Sequence, residues 1–265
     1  MKRYLRIMRQ KIDKRVVEKN FSRCANLYDE YSEIQSFAAD ELIKELPDHD
    51  FIRILEIGCG TGTYTRLLRE RFNQARIKAV DISGSMIEAA RRKLHAGGID
   101  FITADAEEIE LFEKFDLVTS NAAFQWFSDV AGTISKYENL LTDNGAMCFS
   151  TFGPLTFREL GIALEKAFCV QGPICASKFL EKKELEAVLK RCFGDIFVRE
   201  RIVKRTYPSV IELLSRIKYT GSRGCGNDEK FLWLKRTVNE IEEIYRSMYG
   251  QIEATYQIFF CKALK

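Results

Sequence analysis

Residues 55–65, LEIGCGTGTYT, join an apolar run to a loop with glycine at every second position: Gly58, Gly60 and Gly62. Such a loop brings backbone N–H groups close to a ligand that side chains would hold off. A triphosphate loop needs Gly-Lys-Ser/Thr where its helix opens, and Gly60-Thr61-Gly62-Thr63 has no lysine. A dinucleotide loop spaces its glycines G-x-G-x-x-G, and this one reads G-x-G-x-G. The glycines alone therefore leave the ligand open.

Acidic residues at the ends of apolar runs narrow the choice. Glu56 stands just before the loop, where a carboxylate repels a pyrophosphate and suits a cationic group. Asp81 ends the next run, RIKAVDI, placed to accept both hydroxyls of a ribose. Asp105 and Ala106 follow a third run and can accept from and donate to an adenine edge. Each alone is compatible with a surface carboxylate beside a tight turn. Together they describe a nucleoside bearing a cationic amino-acid arm, which is S-adenosylmethionine.

Other chemistries have little to work with. There are only two histidines, His49 in a PDHD turn and His95 near a helix end, and both read as solvated loop residues. A Ser-His or Cys-His mechanism lacks its base. The eight cysteines include no CxxC pair and no zinc spacing, so they read as free thiols of a reducing cytoplasm, with no metal. No run reaches membrane-spanning length, and the basic N-terminus has no apolar segment behind it, so a cytoplasmic protein without a membrane partner is expected.

The elements that must position the loop alternate. Residues 14–31 carry Val17, Phe21, Cys24, Tyr28 and Tyr31 at helical spacing, and Ser32 with Gln35 reads as a capping box that restarts a helix ending at Pro47. Strands are expected at 51–57, 76–82, 100–103, 115–120 and 145–152, with helices at 64–72, 84–95 and 130–141. Apolar strands separated by helices form a parallel sheet covered on both faces, with ligands at the carboxyl ends of its strands. Beyond residue 153 come helices at 156–168 and 181–192, then a strand of alternating charge at 196–207. Helices follow over 209–249, and a closing strand at 254–264. Helices inserted between the last two strands are placed to form a lid.

The net charge is +3, yet basic residues cluster. Lys2, Arg3, Arg6, Arg9, Lys11, Lys14 and Arg15 open the chain; Arg199, Arg201, Lys204 and Arg205 form a second group; Arg216, Lys218 and Arg223 form a third. These are solvated surface or a face for an acidic partner. No nucleic-acid-binding module is recognisable, so no nucleic-acid partner is expected.

The stretches ILEIGCGTG, AVDIS, TADAE and FDLVTSN resemble the class I S-adenosylmethionine-dependent methyltransferases. More narrowly, FSRCANLYDEYSEIQ (21–35), SNAAFQWFSD (120–129), STFGPLTFREL (150–160), KFLEKKELEAVL (178–189), LLSRIKYTG (213–221) and TYQIFF (255–260) resemble the malonyl-acyl-carrier-protein O-methyltransferases of biotin synthesis. The likeness spans about residues 13–263; enzymes that methylate small carboxylic acids such as trans-aconitate share parts of it. It implies a Rossmann-like α/β fold with a mostly parallel seven-stranded sheet and helices on both faces. An N-terminal helical cover (1–47), a cofactor-binding core (48–207), a helical lid (208–250) and a final strand (251–265) are the expected parts.

Carried onto this chain, the resemblance implies that Glu56, Gly58, Gly60, Gly62, Asp81, Ile82, Met86, Asp105, Ala106 and Asn121 surround S-adenosylmethionine, converted to S-adenosylhomocysteine. Tyr28, Gln125 and Trp126 become the catalytic pocket, and Arg216, Lys218 and Arg223 the receivers of an acidic malonyl-acyl-carrier protein, with malonyl-CoA as a possible substitute. The acceptor carboxylate is already ionised at neutral pH, since ordinary carboxyl pKa values are roughly 4. A chain nearly without histidine then needs no general base. A non-catalytic S-adenosylmethionine-binding protein is the reading from a different class, and a methyltransferase acting on carbon or hydroxyl would lack a base.

Overall fold

The computed structural model describes residues 12–95, 97–168, 174–221 and 235–265. Seven strands form one sheet: β1 (Arg53–Ile57), β2 (Arg76–Asp81), β3 (Ile99–Thr103), β4 (Phe115–Asn121), β5 (Leu141–Phe152), β6 (Asp195–Tyr207) and β7 (Ile252–Leu264). Their order is β3-β2-β1-β4-β5-β7-β6. The pairs within β3-β2-β1-β4-β5 are parallel, and β7 runs antiparallel to both β5 and β6. The chain winds from β1 outward through β2 to β3, then crosses to β4 on the other side of β1. At that reversal the strand ends diverge and leave a crevice.

Ten helices are described: α1 (Lys14–Cys24), α2 (Tyr28–Tyr31), α3 (Glu33–Glu45), α4 (Thr63–Arg71), α5 (Gly84–Lys93), α6 (Val130–Asn139), α7 (Arg158–Phe168), α8 (Lys182–Leu189), α9 (Val210–Tyr219) and α10 (Lys235–Tyr249). One apolar core joins the sheet to α3, α4, α5, α7, α9 and α10 through residues such as Leu42, Leu68, Ala90, Leu160, Leu213 and Ile241. The other joins it to α6 and α8 through Ile134, Tyr137, Leu185 and Leu189. Along β5 the side chains alternate between the two: Ala146 and Cys148 face the first, Met147 and Phe149 the second. Each fully buried aliphatic side chain of this kind contributes roughly 1.5–3 kcal/mol. The sheet is thus a rigid base for the loops at its carboxyl edge.

β6 is one of the two edge strands, with Glu200, Arg201 and Lys204 exposed and Arg199 and Arg205 half-buried. Arg199 bonds Glu41 at 3.2 Å and Glu45 at 2.8 Å, and so ties this edge to α3.

Three expectations need correction. The helix read over 14–31 is interrupted at Ala25–Leu27 and resumes as the short α2. The interruption turns Tyr28 toward the sheet edge. Ser32 forms no capping bond. Its backbone (φ −90°, ψ 32°) is not the extended form that aims a hydroxyl at the third amide, so the capping box is absent. Cys24, Cys59, Cys148, Cys192 and Cys261 are free thiols, but Cys175 is disulfide-bonded. No described helix is long and apolar enough to cross a membrane.

Candidate active site

The loop after β1 forms the floor of the crevice. Gly58 has φ +71°, and a Cβ there would lie 2.4 Å from Ala123 Cβ, so the loop and the segment after β4 approach as only glycine allows. Gly58 N–H donates to Val80 O at 2.7 Å, and Gly60 N–H to Asp81 Oδ2 at 2.8 Å. Gly58 and Gly60 line the crevice. Gly62 does not: it sits at the start of α4, where a Cβ would meet Leu94 and Ala90 of the α5 region. Its role is helix packing, which glycine spacing alone does not distinguish from ligand contact.

Asp81, at the end of β2, is buried and lines the same crevice. Its Oδ1 accepts from Ser83 N–H at 2.8 Å, so each carboxylate oxygen is fixed by one backbone N–H. Each keeps a lone pair for a further donor, the pattern a ribose diol requires. Burial pushes this carboxyl up to about 6, partly opposed by those two N–H groups. Ile82, Met86, Asp105, Ala106 and Asn121 also line the crevice, as the sequence places them.

The far wall is α1. Lys14, Val17 and Phe21 line the crevice from one face of this helix. Lys14 Nζ reaches Asp105 Oδ1 at 3.1 Å and Glu107 Oε2 at 2.5 Å, and lies 4.7 Å from the centre of the Phe127 ring. Ser22 bonds Ser83 through their hydroxyls at 2.8 Å, and Asp29 accepts from Thr61 Oγ1 at 2.5 Å and pairs with Lys93. The N-terminal helices are held over the crevice by these polar contacts together with an apolar seam of Phe21, Cys24, Ala25 and Tyr28 on Met86.

Glu56 is almost fully buried (1% exposed) beneath the loop and is not part of the crevice lining. Neither of its oxygens has a hydrogen-bond partner. Burial pushes its carboxyl up to about 8, with the neighbouring Thr65 hydroxyl opposing and the Asp81 charge adding a smaller push. An orphaned carboxylate below a backbone loop fits a cationic ligand above it.

The folded carboxyl holds its proton to a higher pH than the unfolded one, whose pKa is near 4.5. Its contribution to stability is therefore complete below that value and lost as pH rises toward about 8. Glu56→Gln, which cannot ionise, is expected to gain melting temperature relative to the parent as pH rises from about 5 to 8. Thermal scans without ligand check this, and a pH-independent difference would refute it.

Tyr28, Gly58, Gly60 and Asn121 line both this crevice and a second hollow, which continues along Ser32, Gln35, Cys59, Thr61 and Tyr64. Asn121 is fixed there: its Nδ2 donates to Gln35 O at 3.0 Å, and its Oδ1 accepts from Ser150 Oγ at 2.7 Å. The Tyr28 hydroxyl makes no hydrogen bond to a described residue, and burial holds it well above the usual phenol range, with Cys24, Asp81 and Asp29 adding to the effect. It is a neutral donor at the junction of the two spaces.

Trp126 is buried in the crevice wall, edge-on to Phe21 (6.0 Å) and Phe179 (5.7 Å). Gln125 does not join it. Its Nε2 donates to Ala122 O at 2.6 Å and its Oε1 accepts from Thr151 Oγ1 at 3.0 Å, in a separate cavity lined by Phe124, Phe179 and Leu185. Its amide holds the segment after β4 to β5. Arg216 is likewise engaged, to Glu212 Oε1 and to Glu30 O, both at 3.0 Å, and it stands over the Tyr31 ring. Lys218 lies 4.8 Å from the Tyr219 ring centre, and Arg223 is outside the described residues.

A family model described as a methyltransferase domain matches residues 54–145, the segment from β1 into β5. The chain is 35% identical, over 271 aligned positions, to the malonyl-acyl-carrier-protein O-methyltransferase of Acetivibrio thermocellus, covering 96% of this chain and 95% of that one. The chain belongs to the malonyl-acyl-carrier-protein O-methyltransferase family.

A second member of that family, from Anoxybacillus flavithermus, is 35% identical over 263 positions, covering 94% of this chain and 96% of that one. Among solved structures, the YcgJ protein from Bacillus subtilis superposes with a TM-score of 0.61 at 16% identity, covering 86% of this chain and 98% of that one. Phosphoethanolamine N-methyltransferase 2 of Haemonchus contortus, solved with S-adenosylhomocysteine, superposes with 0.59 at 18% identity, covering 93% of this chain and 59% of that one. These two share the class I methyltransferase fold.

In this family member the sequence reading missed Lys14 and the α1 wall. The signal was present, since Lys14, Val17 and Phe21 recur at helical spacing; a lysine on that face was read only as part of a basic cluster.

Proposed function

We propose that the chain transfers a methyl group from S-adenosylmethionine to the free carboxylate of a malonyl thioester on an acyl-carrier protein, an early step of biotin synthesis in the cytoplasm. Membership of the family supports the substrate. The arrangement at Tyr28 carries the reading: one hydroxyl with no partner among the described residues stands where the nucleoside crevice meets the second hollow.

S-adenosylmethionine supplies an electrophilic methyl group to a carboxylate oxygen, leaving a methyl ester and S-adenosylhomocysteine. Asp81 accepts the ribose hydroxyls, Asp105 and Ala106 meet the base, and Asn121 with the glycine loop holds the amino-acid arm. Glu56, protonated at neutral pH without ligand, loses its proton as the cationic arm binds above it and then offsets that charge. Tyr28 donates to the acceptor carboxylate and orients it, while Trp126, Phe21 and Val17 keep water from the crevice. Catalysis is then alignment and desolvation of opposite charges, with reacting atoms about 3–3.5 Å apart. The helices between β6 and β7 act as a lid; Arg216 on Glu30 O and the Tyr31–Tyr219 ring pair (4.6 Å) tie that lid to the cover.

Two measurements test this. At saturating substrates kcat is expected to be flat from about pH 6 to 9, because the acceptor is ionised throughout and no base is used; a limb near neutrality would refute a base-free reaction. Tyr28→Phe is expected to lower kcat about 10- to 100-fold, or roughly 1.4–2.7 kcal/mol, with little change in cofactor affinity. An unchanged kcat, or a loss confined to cofactor binding, would remove the orienting role.

A further inference from the structure

We infer that the outer face of α1 is the docking surface for the acidic carrier protein. The inference rests on the function proposed above but names a different surface from the 216–223 region expected from sequence. α1 has two opposed faces. Lys14, Val17 and Phe21 point into the crevice, while Arg15, Lys19 and Arg23 are exposed on the other side. These three recur at every fourth position, a straight stripe about 12 Å long.

The charges of the stripe are unspent, as are those of other exposed cations such as Arg201 and Lys190, but of these only the stripe stands on the helix that walls the crevice. Arg199 pairs with Glu41 and Glu45, Lys204 with Glu253, Arg205 with Glu33, Arg216 with Glu212, and Lys93 with Asp29. Among the described residues, Arg15, Lys19 and Arg23 have no such partner within the 4 Å ion-pair range. The acidic residues of the same segment are committed: Asp13 caps α1 through Arg15 N–H, and Glu18 accepts from the Ser22 hydroxyl at 2.9 Å. Arg92 of α5 bonds a neutral amide, Asn26 Oδ1 at 3.3 Å.

Position supplies the second reason. A partner on this face sits one helix diameter, about 10–12 Å, from the crevice that the same helix walls. A substrate tethered to that partner by an extended arm starts next to the site. A row of arginine and lysine at one-turn intervals matches carboxylates recurring along an acidic helix, and would draw such a partner in by its charge.

The test compares the full-length parent with the triple variant Arg15→Glu, Lys19→Glu, Arg23→Glu. Direct binding of malonyl-carrier protein is measured by titration calorimetry. Turnover is measured with malonyl-carrier protein and with the malonyl thioester of a small neutral thiol. The variant is expected to bind the carrier at least about tenfold more weakly and to show a similar rise in KM for it, with a shallower salt dependence. Its kcat, its cofactor affinity and its KM for the small thioester should match the parent, which also shows that it folds.

Equal carrier binding in both proteins, or an equal loss on both thioesters, overturns the inference while the proposed reaction stands. Carrier binding that depends on the stripe, with no methyl transfer to either thioester, sustains the surface and sinks the reaction instead. No binding of carrier by the parent overturns the docking surface outright.

Discussion

Gly58→Ala is expected to weaken cofactor binding at least about 100-fold, corresponding to roughly 2.7 kcal/mol. Two costs combine. An alanine at φ +71° occupies a left-handed conformation that costs about 1–2 kcal/mol for an L-residue. Its Cβ would also stand 2.4 Å from Ala123 Cβ, on the segment that carries Trp126. Relief requires moving either the floor of the crevice or its wall. Gly250→Ala is the matched control: its φ is +74°, yet nothing lies within 4 Å of the added carbon. That variant should lose stability from backbone strain and bind cofactor as the parent does. Calorimetric titration with S-adenosylhomocysteine decides the matter, and Gly58→Ala binding within threefold of the parent would refute the close approach.

Asp81→Asn is expected to cost a similar factor by a different route. The carboxylate accepts from Gly60 N–H and Ser83 N–H through separate oxygens. An amide offers one oxygen and turns an NH2 toward the other N–H, so one anchor of the loop becomes a clash of donors. The ribose diol loses a charged acceptor as well, and hydrogen bonds to charged groups contribute roughly 1.5–3 kcal/mol. A pH series separates these effects. The parent carboxyl is pushed up to about 6 in the ligand-free protein, so its cofactor affinity should fall as pH drops below that point. The variant has nothing to protonate there and should show no such limb. A limb of equal size in both would assign it elsewhere.

Much of this site was legible because its signals are local. A glycine loop at the end of an apolar run, followed by Asp81 and Asp105 at the ends of the next two, fixes a crevice once the strands are parallel, and parallel strands follow from the intervening helices. Gly62 and Gln125 were misplaced for a shared reason: motif membership says that a residue is near the site, not which way it faces. Gly62 turns to α5, and Gln125 turns to Thr151. Arg216 was read as a receiver of the carrier, but its guanidinium is held by Glu212 one turn away and by Glu30 O, a partner remote in sequence. The break at Ala25–Leu27 was hidden because the apolar period continues through it. The outward row of Arg15, Lys19 and Arg23 emerges only once the fold has set Lys14, Val17 and Phe21 of the same helix into the crevice.

The account stands most directly on one reaction. The full-length protein is incubated with S-adenosylmethionine and malonyl-acyl-carrier protein, and the carrier is weighed by mass spectrometry before and after esterase treatment. A single added methyl that the esterase removes is the expected result, with none added to the carrier lacking its malonyl group. A carrier of unchanged mass, while the protein binds S-adenosylmethionine and methylates another acid, would contradict it.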